Sequence, residues 1–332
     1  MSTHSLVIPV YNNADTLPQL LPACEGLARE LGGDLEVVFV VDGSPDASHR
    51  LLREQLPQAR FTSRLVLLSR NFGSFAAIRE GLGAAGGRYF AVMAADLQEP
   101  PELVLSFFRT LATEPVDVVL GTRQSRADPL GTRLTAGIFW WVYRRVVEPQ
   151  MPPGGVDVFG CNREFRDRLL ALPESNSSLV GLLFWLGYRR KLISYSRQPR
   201  LSGKSGWTLR KKVKYLFDSL FAFSDLPIRL LAFLGGLGLV TSASLSLVVL
   251  VARVLGLVTV PGYAATVLVV AFFAALNSFG LGVIGSYVWR TFENTKGRPL
   301  AIVMTAEEFS GRSAALAQAG LEPTPHEARP TH

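Results

Sequence analysis

The sequence is poor in the residues that build thiolate, disulfide and histidine sites. Its 332 residues include two cysteines, Cys24 and Cys161, and four histidines. Two cysteines in separate segments give neither a metal-ligand spacing nor a disulfide framework, so we expect both to be buried and reduced. The histidines lie near the termini or alone in a helical pattern, which argues against a zinc site or a histidine nucleophile.

Three further absences narrow the class of protein. No glycine loop of the GxGxxG or GxxxxGK[ST] type follows the first strand, which excludes the usual dinucleotide and P-loop phosphate sites. The strand-like run SLVIPV begins almost at the N-terminus with no basic and apolar leader, so we expect no cleaved signal peptide. No basic stretch is interleaved with aromatic residues, which argues against nucleic acid as a partner.

Apolar and basic residues are abundant instead. Hydrophobic residues make up 48% of the chain, and the formal net charge is +7. This combination indicates a lipid bilayer surface or a phosphate-bearing partner.

The first third of the chain alternates short apolar runs with helical patterns. The pattern predicts strands at 6–10, 35–42, 64–69, 89–93 and 116–121, separated by helices at 15–31, 47–56, 74–85 and 101–111. Continuous apolar strands spaced by helices indicate an α/β fold with a mostly parallel sheet and right-handed crossovers. In such sheets, ligands bind at the carboxyl ends of the strands.

Two long segments near the C-terminus carry no charge, at 230–252 and 264–289. Each is long enough to cross about 30 Å of hydrocarbon, and the short connector between them predicts a transmembrane hairpin. The outer flanks are basic, at Arg210, Lys211, Lys212, Lys214, Arg229, Arg290, Lys296 and Arg298. The connector holds only Arg253, so the positive-inside rule places the α/β domain and both termini in the cytoplasm.

These patterns divide the chain into four parts. We predict a cytoplasmic α/β domain at 1–200, amphipathic juxtamembrane helices at 201–228, the two transmembrane helices within 229–290, and a cytoplasmic C-terminal segment at 291–332. From Thr305 the tail is polar, and we expect a loose helix followed by disorder. The aromatic run AGIFWWVYRRVV suits either the core or a membrane interface. The amphipathic segment 207–223 is a candidate contact between copies of the chain, and we expect a homo-oligomer.

Polar residues follow three of the predicted strands, at 9–12, 42–46 and 96–99. A helix N-cap would by itself explain Asp42, but all three groups open on one edge of the sheet, which favours a ligand site. Asp96 and Gln98 offer a carboxylate and an amide oxygen. Such oxygens bind hard cations, so we expect Mg²⁺ or Mn²⁺ there, with substrate phosphates completing the coordination.

Several motifs in order carry a family resemblance: VIPVYNNADTL, VVDGSPDAS, LSRNFGSFAAIREGL, AADLQEPPEL, RLSGKS and GRPLAIV. Together they resemble the family-two glycosyltransferases that load sugars onto polyisoprenyl phosphates, relatives of dolichol-phosphate mannose synthase and bactoprenol glucosyltransferases. The resemblance implies the A-type fold of enzymes that use nucleotide-diphosphate sugars, a UDP- or GDP-linked hexose donor, a divalent cation and inversion at the anomeric carbon. It also implies a polyisoprenyl phosphate acceptor, undecaprenyl phosphate, at the cytoplasmic membrane.

Matched by position, the resemblance assigns a donor site to Pro9, Tyr11, Asn12, Asp42, Ser69, Asn71, Ala95, Asp96 and Asp157. It makes Asp96 and Gln98 the metal ligands. The family's DAD reads Ala94, Ala95, Asp96 here, and its VDDGS has Val41 in place of the first acid. With one carboxylate missing from each pair, we expect the metal and the donor to bind together.

The resemblance also assigns an acceptor phosphate site to Arg123, Arg133, Arg200, Lys204 and Ser205, and a catalytic role to Asp96, Arg123 and Arg200. Arginine suits phosphate because its fork donates two parallel hydrogen bonds. A lipid phosphate is already anionic near neutral pH and needs no general base.

Two other functions stay open. In one, a membrane glycosyltransferase acts on a hydroxyl of a lipid-linked sugar or a polysaccharide, with Glu174 or Asp157 as the base. In the other, the protein is a non-catalytic scaffold that binds nucleotide sugars. Asp157 itself is equally compatible with contact to the sugar and with a structural role.

Overall fold

The computed structural model describes residues 2–123, 143–145, 148–152, 155–174, 177–198, 217–224, 226–255 and 263–311. The predicted acceptor residues Arg133, Arg200, Lys204 and Ser205 lie outside these ranges, as does most of the aromatic segment before Tyr143.

Eight strands form one sheet. They are β1 (His4–Val10), β2 (Leu35–Val41), β3 (Thr62–Leu68), β4 (Tyr89–Val92), β5 (Val118–Arg123), β6 (Val158–Asn162), β7 (Arg190–Tyr195) and β8 (Val303–Phe309). Their order across the sheet is β7-β5-β6-β4-β1-β2-β3-β8. Four neighbouring pairs are parallel and three, those that involve β6 or β8, are antiparallel. The prediction of an α/β fold with a mostly parallel sheet is confirmed.

Helices cover both faces of this sheet. They are α1 (Leu17–Glu30), α2 (Ser48–Gln55), α3 (Ser74–Ala84), α4 (Pro101–Thr113), α5 (Arg163–Leu170) and α6 (Leu179–Trp185). One core cluster joins β1 and β2 to α1 and α4, and a second joins the opposite face of the sheet to α3, α5 and α6. All seven residues of β2 are buried, as expected for a strand covered on both faces.

Both cysteines are buried and unpaired, as predicted. Burial raises the pKa of the Cys24 thiol to about 12, which leaves it protonated and unreactive. Tyr143 is fully buried in the second core cluster, so this residue of the aromatic run belongs to the core.

The C-terminal part of the chain returns to the sheet. We expected a loose helix from Thr305, but residues 305–309 lie within β8, so that prediction was wrong for these residues. β8 pairs antiparallel with the outer edge of β3, and its carboxylates pair with Arg53 and Arg64. An open strand edge offers a row of unsatisfied backbone groups, and pairing with it outweighs the weak helical tendency of the tail.

Two further helices, α7 (Leu226–Val254) and α8 (Tyr263–Thr295), precede β8 and contact one another. Among the described residues, the segment Phe272–Thr295 is long and apolar enough to cross a membrane. The pair Phe217–Phe223 and Leu226–Gly238, bent by 82°, would be a second candidate if it formed one span. Large side chains on both helices are exposed, Phe233 by 67% and Val288 by 61%. One candidate span is therefore present, and the two-helix hairpin stays a prediction.

Candidate active site

One edge of the sheet collects the polar residues that the sequence singled out. Strands β1, β2, β3, β4, β5 and β7 all end at this edge, because they run in one direction. The antiparallel strand β6 begins there, which brings Asp157 to the same edge. Gly121 near the end of β5 pairs with Val158 at the start of β6, and Arg123 pairs with Tyr195 at the end of β7.

The loops after β1 and β2 are joined through Asp46. Its carboxylate accepts hydrogen bonds from Ala14 N at 2.9 Å, from Ser44 Oγ at 2.6 Å and from both the backbone and the hydroxyl of Ser48. Ser44 Oγ in turn accepts from Asn12 N at 2.8 Å. Partial burial opposes ionisation of Asp46, but these hydrogen bonds hold its pKa below the ordinary value. Asp46 therefore fixes the loop that carries the predicted donor residues.

Tyr11 and Asn12 lie at the surface of that loop. The Tyr11 side chain is 44% exposed, and Asn12 adopts a φ of 54°, a left-handed conformation that asparagine tolerates better than most residues. Pro9 lies two residues before Tyr11, within β1. An exposed aromatic ring at the mouth of a site is suited to stacking on a flat ligand such as a nucleobase.

Asp42 holds the loop after β3. Its buried carboxylate accepts hydrogen bonds from Phe72 N at 2.7 Å and Gly73 N at 2.8 Å. Burial raises the pKa of Asp42 despite these bonds. The structure thus gives its carboxylate a positioning role for the loop that carries Ser69 and Asn71, and contact with the base or ribose stays a prediction.

The loop after β2 packs against this loop and requires a glycine at position 43. Gly43 has a φ of +57°, and a Cβ there would lie 2.3 Å from the carbonyl carbon of Arg70. No larger residue fits without moving the loop after β3. The Ser69 and Asn71 side chains that this loop carries are exposed at the edge of the sheet.

The loop after β4 contains the predicted metal ligands. Gln98 N donates to Asp96 Oδ1 at 3.3 Å, and Leu97 between them has a φ of 52°. A branched, non-glycine residue in this region is strained, and such strain is often found where a loop aims functional groups. Behind the loop, Thr16 Oγ1 donates to Ala95 O at 2.9 Å, which fixes this loop to the start of α1.

Arg123 and Asp157 form a bidentate ion pair, with Arg123 NH2 2.6 Å from Asp157 Oδ1 and Nε on the other oxygen. Tyr195 Oη donates to Asp157 Oδ2 at 3.0 Å. Burial raises the pKa of Tyr195, and the negative charge of Asp157 raises it further, so this phenol stays protonated. Asp157 thus anchors an arginine and a tyrosine.

Glu99 is a buried acid in the same neighbourhood. It is 2% exposed, and its Oε2 has no hydrogen-bond partner among the described residues. Burial raises its pKa to about 7, and the Asp96 charge adds to the effect, whereas Arg197 and Arg123 oppose it. Three acids and two arginines therefore share one electrostatic cluster: Asp96, Glu99, Asp157, Arg123 and Arg197.

This edge offers a partial set of donors for a divalent cation. The Asp96 carboxylate accepts from the backbone N–H of Gln98, whose amide belongs to the same loop, and the unpartnered buried oxygen of Glu99 lies in the same cluster. Oxygen donors of this kind fit Mg²⁺ or Mn²⁺. Among the residues described, however, no three acidic, histidine or cysteine side chains converge tightly enough to hold a metal alone. The residues fit a cation whose coordination is completed by a ligand.

Sequence reasoning missed four residues that the fold places in the site: Asp46, Glu99, Tyr195 and Arg197. Asp46 and Glu99 stood inside loops already singled out. Tyr195 ends β7 and Arg197 follows it, and the sequence pattern did not reveal this strand, although the polar run YSRQPR after an apolar segment was a usable signal. Glu174, the other candidate base, lies near Arg79 of α3, whose charge it stabilises against burial.

Comparisons with known proteins give matches in sequence and in structure. Residues 5–171 match the family described as glycosyl transferase family 2. The chain is 34% identical over 301 residues to an uncharacterised glycosyltransferase of Synechocystis, covering 90% of this chain and 94% of that protein. It is 30% identical over 301 residues to the undecaprenyl-phosphate 4-deoxy-4-formamido-L-arabinose transferase of Salmonella paratyphi A, covering 89% and 90%. Among solved structures, glucosyl-3-phosphoglycerate synthase from Mycobacterium tuberculosis in complex with uridine diphosphate is 19% identical, with a TM-score of 0.47 over 66% of this chain and 79% of that one.

Proposed function

The chain belongs to glycosyltransferase family 2, and from this premise we propose that it transfers a sugar from a nucleotide-diphosphate donor to a polyisoprenyl phosphate. The product is a monosaccharide joined to the lipid through a single phosphate. Undecaprenyl phosphate is the proposed acceptor, because a relative that is 30% identical over almost its whole length is named for that substrate. The proposed donor is a UDP- or GDP-linked hexose.

One observation carries the proposal most strongly: two arginines stand among three acids at the edge where six strands end. Transfer between two phosphate-bearing substrates needs positive charge beside the reacting oxygens and little proton chemistry. Arg123 is held rigidly by Asp157, so its fork is pre-oriented and its remaining donors are fixed in direction. We assign Arg123 to the acceptor phosphate, with Arg133, Arg200, Lys204 and Ser205 as proposed partners.

The reaction balances without a general base. An oxygen of the acceptor phosphate attacks the anomeric carbon, and the bond from that carbon to the donor diphosphate breaks. The nucleoside diphosphate leaves with the bonding electron pair, and the sugar inverts. A phosphate monoester has a second pKa of about 6, so the attacking oxygen is already ionised near neutral pH.

Asp96 and Gln98 are the proposed metal ligands, and a bound Mg²⁺ or Mn²⁺ would neutralise charge on the leaving diphosphate. The chain's own residues do the rest. The loop fixed by Asp46 presents Tyr11 and Asn12 to the nucleoside. Asp42 orients the loop with Ser69 and Asn71 toward the donor.

The same proposal places the protein at the cytoplasmic face of a membrane. The exposed apolar surface of α7 and α8 needs to be covered by lipid or protein. Arg290, near the end of α8, pairs at 2.7 Å with Asp218 in the helical segment Phe217–Phe223 that precedes α7. This contact fixes the segment beside the span, where a lipid phosphate would lie. We propose two spans with the catalytic domain and termini in the cytoplasm, and assembly into a homo-oligomer.

A panel of donors tests the proposal. Purified protein with Mg²⁺ or Mn²⁺ and undecaprenyl phosphate is incubated with UDP- and GDP-linked hexoses, and the lipids are identified by mass. We expect one donor class to give undecaprenyl phosphate plus one hexose. No glycolipid with any donor, together with nucleotide-sugar binding that survives Asp96→Ala, would support the scaffold function instead.

A further inference from the structure

Arg197 is a residue of the site to which the proposed reaction assigns no role. It follows β7, and its NH2 group donates to Gln98 Oε1. Backbone contacts hold the two segments together, because Gln198 N donates to Gln98 O at 2.9 Å and Gln98 Nε2 approaches Gln198 O at 3.4 Å. The guanidinium therefore lies beside the metal-ligand loop as a consequence of strand-like pairing between distant segments.

The position of Arg197 conflicts with binding of a cation at Gln98. The amide oxygen that a metal would need is the one that accepts from Arg197. Two positive groups on one oxygen repel each other, so the guanidinium and a divalent cation exclude one another there. Arg197 also lies within electrostatic reach of Glu99 and, like a bound cation, offsets the negative charge of this loop.

The guanidinium itself is incompletely satisfied. Its Nε is buried and has no hydrogen-bond partner among the described residues. An arginine fork binds a phosphate group with two parallel N–H donors, and here one edge of the fork has a buried donor available. A buried donor without a partner is unfavourable, and a ligand oxygen would supply the missing hydrogen bond.

We propose that Arg197 is the internal counter-ion of the metal loop in the nucleotide-free enzyme, and that it transfers to the donor diphosphate when the cation binds. This inference rests on the proposed function and deepens it, because it names the residue that binds the leaving diphosphate. It also gives a reason for Ala94, which stands where the family has the first acid of its DAD motif. With that acid absent, the Arg197 guanidinium supplies part of the positive charge that the metal would otherwise supply alone.

The proposal predicts opposite effects on two ligands. In Arg197→Gln, Mn²⁺ added without nucleotide should bind about tenfold more tightly, because its competitor for Gln98 has gone. UDP or GDP added with saturating Mg²⁺ should bind about tenfold more weakly, because the phosphate contact that Arg197 makes once the cation is bound is lost. Free Mn²⁺ is counted from its electron paramagnetic resonance signal, and nucleotide binding is measured by calorimetry on the full chain in detergent.

Two further variants keep the test decisive. Arg197→Lys retains the charge and should recover most of the nucleotide affinity, which covers the case in which Arg197→Gln folds poorly. Arg189→Gln is the matched control, because Arg189 lies at the opposite end of β7 and pairs with Asp117 outside the site. It should change neither affinity.

The outcomes separate this inference from the function on which it rests. Weaker binding of both ligands in Arg197→Gln, with no recovery in Arg197→Lys, would mean a purely structural role and overturn the inference alone. Unchanged binding of both would also overturn it. A wild-type protein that binds neither UDP nor GDP, with or without Mn²⁺, would overturn the proposed function as well.

Discussion

Asp46 holds two loops of the donor site together, and replacing it should cost stability in a way that depends on pH. In Asp46→Asn, one carboxylate oxygen becomes an NH₂ group. The serine hydroxyl on that side can rotate and accept, but the backbone N–H of Ala14 or Ser48 cannot, and it loses its acceptor. One unsatisfied N–H costs about 2 kcal/mol. For a domain of this size, that lowers the unfolding temperature by about 4–8 °C.

The alanine variant removes all four hydrogen bonds, and we expect a loss of about 3–4 kcal/mol. The pKa of Asp46 in the folded state lies below its ordinary value of 3.8. The charged form therefore stabilises the fold above that value, and this contribution is lost as pH falls through the folded pKa. The difference between wild type and Asp46→Asn should consequently shrink below about pH 4.

Thermal unfolding followed by circular dichroism between pH 3 and pH 7 measures both effects. Asp15→Asn is the control, because Asp15 is an exposed acid in the loop after β1 that Asp46 holds. If Asp46→Asn is no less stable than Asp15→Asn at pH 7, or if its deficit is the same at every pH, Asp46 does not fix these loops.

Three other changes test the site. Gly43→Ala should cost about 3 kcal/mol, because Ala adds both a steric overlap and an unfavourable positive φ, whereas Gly33→Ala, at a φ of +83° with open space around it, should cost about 1 kcal/mol by chemical denaturation. Equal costs would show that the close approach at Gly43 is not real. Asp157→Asn should slow transfer by about tenfold, since the amide still accepts from Arg123, whereas a loss beyond about a thousandfold would identify Asp157 as a general base. Asp96→Ala should abolish transfer with an unfolding temperature close to that of wild type, and an active variant would remove Asp96 from the mechanism.

The parallel part of the fold was readable from the sequence because its strands are buried on both faces. LVIPV in β1 and LEVVFVV in β2 are continuous apolar runs, and their helices carry a clear apolar stripe. The strands that were missed are those with weaker patterns. β7, RKLISY, has one buried residue, and β8 lies at an edge with mostly exposed side chains.

The site could be predicted from the sequence where its residues lie at the ends of recognisable strands. Asp96, Arg123 and Asp157 do meet at one edge, because local signals place each residue at the end or start of a strand. The contact between Arg197 and Gln98 joins residues 99 apart and depends on β7, so no local pattern could reveal it. Likewise, the acid missing at Ala94 was visible in the sequence, but the arginine beside that loop became visible only in the folded chain.

We propose that the sugar is transferred to a phosphate oxygen, and a direct competition between two acceptors tests this. Purified protein is given its preferred nucleotide sugar, Mg²⁺, and equal amounts of undecaprenyl phosphate and an undecaprenyl-linked sugar with free hydroxyls. Mass spectrometry then shows which lipid has gained a hexose. We expect that undecaprenyl phosphate is glycosylated and the lipid-linked sugar is not. Glycosylation of the lipid-linked sugar alone would contradict it.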